Sequence, residues 1–295
     1  MRVFASIWLT FLLSILAGCG GTSSTPSSNG PLSGNWQINM VAAEPSGTTT
    51  LSAAGFIVES NNALGGSVQG PTTVSTSGAT SCGGVGPVSG TINGQNVSFS
   101  LNPGGTVFNF TGAISSDNSS MSGVFQAIPG ACTAAGTTGT WNAVLIPPLN
   151  GNFTGTITST YMEFLQGTSA PVPVTVSGSF TQTSNADGSN ASVTGTINAV
   201  GYPCFTTALL TGTISGQSVY MDVFDYNGEQ IGTLGVPPSS ANGSGAAPAT
   251  VVVNSTGVSL TGSSSGGLTL GNGSINPCPA LINATGDVAS VDFTF

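Results

Sequence analysis

One five-residue pattern recurs along this sequence and constrains its fold more than any other feature. Each copy reads apolar residue, Ser or Thr, Gly, any residue, apolar residue. The copies are Leu32–Trp36, Val88–Ile92, Phe110–Ile114, Met121–Phe125, Phe153–Ile157, Val176–Phe180, Val193–Ile197 and Leu210–Ile214. In a β-strand, positions one, three and five face the same side. The pattern therefore predicts short strands with one buried face and one solvated face.

Turn signals separate many of these units. The candidate hairpin turns are Asn93-Gly94, Asp187-Gly188, Ser215-Gly216 and Asn227-Gly228. No segment after the first 19 residues predicts a helix. Short strands joined by tight turns predict an all-β fold built as an antiparallel meander, either an up-and-down barrel or a sandwich. The glycine within each unit indicates a bend or a close approach of neighbouring backbones.

The chain also contains two copies of one plan. Two pairs of segments match each other: Leu32–Trp36 with Leu149–Phe153, and Val88–Val97 with Leu210–Val219. The pair Pro147-Pro148 lies between the copies and interrupts regular structure. We therefore predict two tandem β-modules, residues 32–146 and residues 149–295. The second copy is longer, and its surplus falls between Glu229 and Gly273.

The first 19 residues carry an export signal. Arg2 precedes an apolar stretch, residues 3–17, that is too short for a transmembrane helix. The stretch ends in Leu16-Ala17-Gly18-Cys19, which resembles the lipobox of bacterial lipoproteins. The resemblance implies a signal peptide of residues 1–18, acyl chains such as palmitate on Cys19, and anchoring in the bacterial cell envelope. In enteric lipoproteins, an aspartate directly after the cysteine retains the protein in the inner membrane. Gly20 stands at that position here, which favours the outer membrane. A plain signal peptide ending in a chance cysteine is the alternative.

A tether and a disulfide framework follow from this assignment. Residues 19–31 comprise the lipidated cysteine and a Ser/Gly/Pro-rich segment without apolar periodicity, which predicts a flexible tether. Four of the five cysteines then remain, two in each module. Because exported chains favour disulfides, we predict one in each module, Cys82–Cys132 and Cys204–Cys278. Four thiols on one metal ion are the alternative, although the chain has no Cys-x-x-Cys spacing.

The opening of the first module resembles a known barrel family. Gly34-Asn35-Trp36 is similar to the Gly-x-Trp that begins the first strand of lipocalin and avidin-type barrels. The likeness covers three residues, and Gly139-Thr140-Trp141 repeats the triplet. Lipocalins also place an arginine over that tryptophan, and this chain has none after Arg2. The resemblance implies barrel geometry, and we do not carry over the ligand binding of that family.

Charge is sparse and one-sided. The chain has one basic residue, Arg2, no histidine and ten acidic residues. Because no basic side chain remains after the signal to neutralise phosphate, nucleic-acid binding is not expected. Because the chain contains no histidine, we also exclude histidine acid–base chemistry, Ser-His-Asp triads and His-ligated zinc. We predict no enzyme activity, no catalytic residue and no cofactor.

One group of oxygen-bearing side chains deserves weighing as a site. Asp222, Asp225, Asn227 and Glu229 lie close together and are weak candidates for a Ca²⁺ site, since calcium prefers oxygen ligands. Two of these carboxylates could also act in glycoside cleavage. The alternative is a polar turn at Asn227-Gly228, and no metal is predicted. Two interpretations are open for the four tyrosines of the chain. Some of them belong to a sugar-stacking surface, or all of them lie half-buried or at the barrel rims: Tyr161, Tyr202, Tyr220 and Tyr226.

Together these features predict a membrane-anchored exported lipoprotein with a non-enzymatic binding or structural module. Its contact with the membrane runs through the lipid anchor, and its protein, glycan or small-ligand partner is open. One alternative is a carrier of a small apolar ligand inside a β-barrel. A further alternative is a calcium-dependent carbohydrate binder.

Overall fold

The described part of the chain forms two antiparallel β-barrels in tandem. The computed structural model describes residues 30–44, 47–73, 84–103, 106–128, 137–184, 190–236, 249–254, 257–264, 266–271, 277–279 and 286–295. The predicted all-β class is confirmed, and the barrel is the architecture of both modules. Within these ranges, no helix is both long and apolar enough to cross a bilayer.

The first barrel is an eight-stranded up-and-down meander. Its strands are β1 (Gly34–Glu44), β2 (Gly47–Ser60), β3 (Ala63–Thr73), β4 (Val85–Asn93), β5 (Asn96–Leu101), β6 (Val107–Ile114), β7 (Ser120–Ile128) and β8 (Thr138–Ile146). Each strand pairs with the next, and β8 pairs with β1 to close the ring. Closure leaves no edge strand to pair with another chain.

The second barrel closes in the same way but has two divided positions. Its elements are β9 (Gly151–Ser159), α1 (Thr160–Gln166), β10 (Val172–Ser184), β11 (Ala191–Ala199), β12 (Thr207–Ser215), β13 (Ser218–Phe224), β14 (Gln230–Leu234), β15 (Ala249–Asn254), β16 (Gly257–Gly262), β17 (Leu268–Leu270) and β18 (Asp287–Thr294). Strands β14 and β15 pair with successive parts of β13, and β17 and β16 with successive parts of β18. Two strand positions are thus each filled by two short strands, which places the surplus of the second copy.

Equivalent positions of the two barrels make equivalent hydrogen bonds. Gly34 pairs with Ile57 in the first barrel, as Gly151 pairs with Phe180 in the second. Two residues beyond these partners, Glu59 Oε2 accepts from the Leu32 amide at 3.0 Å. In the second barrel, Gln182 Oε1 accepts from the Leu149 amide at 3.0 Å. The duplication in sequence is therefore also a duplication in how the chain enters each barrel.

Aromatic rings fill the interior of the first barrel. The Phe110 ring lies 4.6 Å from Phe99 and 5.4 Å from Trp141, measured between centroids. Trp36, at the resembling Gly-x-Trp, is fully buried, and its Nε1 donates to the Leu32 carbonyl at 2.9 Å. Phe125 packs against Phe110 from the neighbouring strand. The inward faces predicted from alternation thus meet as a close-packed core.

The second barrel has its own aromatic core, and glycine makes room for it. The Phe153 ring stacks at 4.9 Å on Phe180 and at 4.7 Å on Phe293. A Cβ on Gly178 would lie 2.7 Å from two atoms of the Phe153 ring and would overlap the Thr196 carbonyl oxygen. The recurring glycine at this position therefore provides clearance for a ring and for the neighbouring strand.

One helix departs from the prediction that the chain contains none. Helix α1 begins after Ser159, whose side chain accepts from the Met162 amide at 3.0 Å. It ends at Gly167, which adopts the left-handed conformation with φ of 63°. Both capping signals stand in the sequence. The helix is seven residues long, so apolar periodicity could not reveal it.

The two barrels touch through the outer face of the first and a hairpin turn of the second. Asn35 Nδ2 donates to the carbonyl of Gly216, the turn between β12 and β13, at 2.6 Å. A Cβ on Gly216 would lie 2.7 Å from the Cβ of Ala54. Phe56, on β2, is 2% exposed and packs within the core cluster of the second barrel. The contact therefore combines a buried hydrogen bond with close apolar packing.

Candidate functional site

Several connecting segments of the second barrel lie at the end opposite the Gly216 turn. Four segments meet there: α1, residues 200–206 between β11 and β12, residues 225–229 between β13 and β14, and residues 277–279 before β18. We call this the distal end. Large apolar side chains are exposed here, among them Phe164, Leu165, Val200 and Tyr226. Loops at one end of a rigid barrel commonly carry a binding surface.

A buried carboxylate organises the distal end. Asp287, at the start of β18, is 2% exposed. Its oxygens accept from Ser159 Oγ at 2.6 Å, from Thr160 Oγ1 at 2.9 Å and from the Tyr161 amide at 2.9 Å. The Tyr202 hydroxyl also donates to it. A buried charge needs such partners, and these four tie α1 and the 200–206 segment to β18.

The Tyr202 hydroxyl is held in its neutral form by this arrangement. Burial is the main cause that raises the pKa of Tyr202, and the negative charge of Asp287 raises it further. The phenol is therefore a fixed hydrogen-bond donor over the whole physiological pH range. Its role is to satisfy Asp287, so these hydrogen bonds form a structural network.

The predicted disulfide lies beside this network. Cys204 and Cys278 are bonded, which confirms that pairing. Tyr161 adds a second link, because its hydroxyl donates to the Pro279 carbonyl at 2.8 Å. Both links attach the 277–279 segment to the barrel end. Cys82, Cys132 and Cys19 lie outside the described residues, so the other predicted disulfide and the lipidation remain predictions.

A cleft of about 510 Å³ opens next to the disulfide. Its apolar lining consists of Cys204, Phe205, Ile231 and Pro277. Its polar lining consists of Thr206, Thr207 and Asp225. Tyr226 also lines the cleft and is 83% exposed, whereas Phe205 is 8% exposed. The cleft combines an apolar floor, a polar rim and one projecting aromatic ring.

The four candidate calcium ligands do not converge. Asp225 Oδ1 accepts from the amides of Asn227 and Glu229, each at 2.9 Å, and its Oδ2 accepts from Asn227 Nδ2 at 3.1 Å. Asp222 Oδ1 instead accepts from Tyr220 at 2.8 Å and from Gln230 at 2.8 Å. Among the described residues, no three acidic, His or Cys side chains gather closely enough to hold one metal ion. The 225–229 segment is therefore a polar turn, which is the alternative to a calcium site.

Hydrogen bonds and burial shift the pKa values of two groups in this region in opposite directions. The Glu229 amide is the main cause that lowers the pKa of Asp225, so this carboxyl stays ionised in mild acid. Burial raises the pKa of Tyr220 to about 12, with the bond to Asp222 as a further cause. Of the four tyrosines considered for sugar stacking, Tyr226 is the one that projects into solvent beside a cleft.

A second depression lies on the outer face of the first barrel. It measures about 620 Å³ and is lined by outward-facing side chains of β4 to β7, such as Thr91, Ser98 and Thr111. It is shallow and carries no charged side chain among its lining residues. Neither this depression nor the distal cleft is an internal void of a barrel.

Comparison with known proteins adds little to this description. No family model matches the chain, and no curated protein matches it. The crystal structure of an AttH-like protein from Nitrosomonas europaea aligns with 88% of this chain and 91% of its own, at 8% identity and a TM-score of 0.24. A TM-score this low carries no argument about function, so the site stands on its own geometry.

Proposed function

We propose that this chain is an exported lipoprotein, anchored in the outer membrane through Cys19, whose double barrel acts by binding or as a structural module, without catalysis. The support for the anchor is the sequence Leu16-Ala17-Gly18-Cys19, followed by the Ser/Gly/Pro-rich tether. Several acyl chains on one cysteine give a stable membrane attachment, whereas a single chain does not.

The observation that carries the binding proposal is that aromatic rings pack the barrel interiors, whereas the depressions described above lie on the outer surface. Ring contacts around Phe110 and Phe153 occupy the interiors of the two barrels. Both depressions described above open outward. A carrier of an apolar ligand would need a void where these rings lie. The proposed activity therefore belongs to the outer surface.

The carboxylates of the distal end support a role without catalysis. Asp287 is buried and saturated with donors. Asp225 is the one carboxylate among the lining residues of the distal cleft. Glycoside cleavage requires two carboxyl groups that face each other across the substrate, roughly 5–10 Å apart. A single carboxylate can accept hydrogen bonds from a ligand but does not supply an acid and a base.

Metabolic labelling tests the anchor. The full chain is expressed in a Gram-negative host that is fed a palmitate analogue, beside a Cys19→Ser variant. We expect the wild-type chain to carry the label and to fractionate with the outer membrane, and the variant to do neither. Wild-type protein that carries no label and is released from the membrane would contradict the anchor. Hydrolysis of a glycan that disappears in an Asp225→Asn variant would contradict the role without catalysis.

A further inference from the structure

We propose that the distal cleft binds neutral carbohydrate, with the Tyr226 ring stacking on a sugar face and the Asp225 carboxylate accepting from sugar hydroxyls. The proposal deepens the proposed function and rests on it, because it names the ligand class of a surface-acting module. It requires no metal ion.

The composition of the cleft matches the chemistry of a sugar. A pyranose presents an apolar C–H face and a rim of hydroxyl groups. The cleft presents an apolar floor at Phe205, Ile231 and Pro277, and hydroxyls at its rim from Thr206 and Thr207. Its volume of about 510 Å³ lies within the range of small-molecule sites. Both halves of a sugar therefore find a complementary surface.

The charge of the cleft disfavours anionic ligands. The one basic side chain of the sequence is Arg2, far from this cleft in the sequence and within the predicted signal. An anionic ligand would meet the negative Asp225 carboxylate without any cation to offset it. Uronates, phosphates and nucleic acids are therefore disfavoured, whereas uncharged hydroxyls can donate to the carboxylate.

Hydrogen bonds of the turn fix the backbone that carries Tyr226. The Asp225 amide donates to the Glu229 carbonyl at 2.9 Å, and the Gly228 amide donates to the Asp225 carbonyl at 3.1 Å. Gly228 has φ of 83°, a conformation that suits glycine. Because the backbone is already ordered, only the side-chain torsions of Tyr226 lose freedom when a ligand stacks on its ring. The exposed Tyr226 therefore offers a ring on which a sugar can stack.

The Asp225 carboxylate is also positioned in advance and retains acceptor capacity. Three donors from its own turn occupy part of its roughly four lone-pair positions. Its Oδ2 receives a single bond, from Asn227 at 3.1 Å. Nearby, Thr207 Oγ1 donates to Asn198 Oδ1 at 2.8 Å, so its own lone pairs serve as acceptors. These groups are organised before any ligand arrives.

Exposed residues of the distal end outside the cleft supply matched controls. Phe164 is 60% exposed on α1 and does not line the cleft. Replacing it removes an exposed aromatic ring from the same barrel end. Tyr226→Phe keeps the stacking ring and removes the hydroxyl. Because Tyr226 and Phe164 are both solvent-exposed, Tyr226→Ala and Phe164→Ala should leave folding unchanged.

The experiment uses the full chain, purified in a detergent without a sugar headgroup. Binding is measured to neutral hexasaccharides of glucose, xylose and N-acetylglucosamine, and to an oligogalacturonate. We expect binding to at least one neutral probe, weakened about tenfold by Tyr226→Ala and little changed by Tyr226→Phe or Phe164→Ala. No neutral binding, or equal binding by Tyr226→Ala, would overturn the proposal.

Two further readings separate this proposal from its competitors. The palmitate label is measured on the same protein, so a labelled chain without glycan binding overturns the cleft assignment and leaves the anchor intact. Adsorption to phosphatidylethanolamine–phosphatidylglycerol vesicles is measured for each variant. If Tyr226→Ala and Phe164→Ala both abolish adsorption while no glycan binds, the distal end is a membrane-contacting surface and the proposal is wrong.

Discussion

Replacing Gly178 with alanine adds a single methyl group, yet it should strongly lower the unfolding free energy of the second barrel. Gly178 lies in β10 opposite Phe153 on one side and Ile197 on the other. Its added Cβ would overlap the Thr196 carbonyl oxygen and lie 2.7 Å from Phe153 Cε1 and Cζ. The ring is stacked on two others and the oxygen belongs to the backbone. Neither obstacle can rotate away, so the strands must separate.

The magnitude follows from this overlap. Overpacking a close-packed core costs about 1–3 kcal/mol when side chains can adjust, and here backbone must move as well. We therefore expect the Gly178→Ala variant to lose about 3 kcal/mol of unfolding free energy. For a domain of this size, that corresponds to a melting temperature about 6–12 °C lower. Urea unfolding followed by circular dichroism gives the free energy, and calorimetry gives the melting temperature.

Gly65→Ala is the matched control. Gly65 lies in β3 opposite Val58, and a Cβ built on it meets no atom within 4 Å. Because alanine loses less conformational entropy than glycine on folding, this variant should be unchanged or more stable by up to about 1 kcal/mol. A Gly178→Ala loss below about 1 kcal/mol would refute the clearance argument. Equal losses in the two variants would show that glycine serves strand geometry in general.

Three other outcomes follow from the same structure. The Cys204→Ser/Cys278→Ser variant should lose about 4 kcal/mol in urea unfolding, because the disulfide closes a separation of 74 residues; an unchanged midpoint would contradict this. Since burial raises the pKa of Tyr202 above its ordinary value of 10.0, the unfolded chain releases that proton first, so stability present below about pH 10 should decline above it, and less steeply in Tyr202→Phe. Phe56→Ala should cost about 3–5 kcal/mol and split the calorimetric transition of the two barrels; a single unshifted transition would contradict the packed contact.

The features that repeat along the chain could be predicted from sequence. Strand alternation is local, so the eight pattern units identified the β class and the inward faces. Repetition of the first and fourth strands revealed two modules, and parity of the cysteines then suggested Cys204–Cys278. Closure of each sheet into a barrel was left open against a sandwich. It depends on pairing between distant strands, such as β1 with β8, which alternation does not encode.

The distal site was only partly predictable, because its members are distant in sequence. Tyr202 and Asp287 are 85 residues apart, and no pattern joins them before the chain folds. Tyr226 was considered only as one of four tyrosines, since exposure is a property of the fold. The acidic group at 222–229 looked like a ligand set because its members are near in sequence. In the structure Asp222 and Asp225 serve different neighbours.

The outer surface of the first barrel shows how a closed sheet can do without charged side chains. Thr91, Ser98, Thr111, Val124 and Thr140 are register neighbours on β4 to β8 and form an exposed, uncharged row. If these uncharged strands formed an open sheet, its edge strands would expose unpaired backbone groups, which charged side chains usually protect from pairing with another chain. Closure into a barrel removes the edge and with it the need for charge. A surface freed from charge attracts neither anionic lipid nor nucleic acid over long range. For the binding that we propose, recognition must depend on contact geometry, and the distal cleft brings together an exposed ring, an ionised acceptor and an apolar floor.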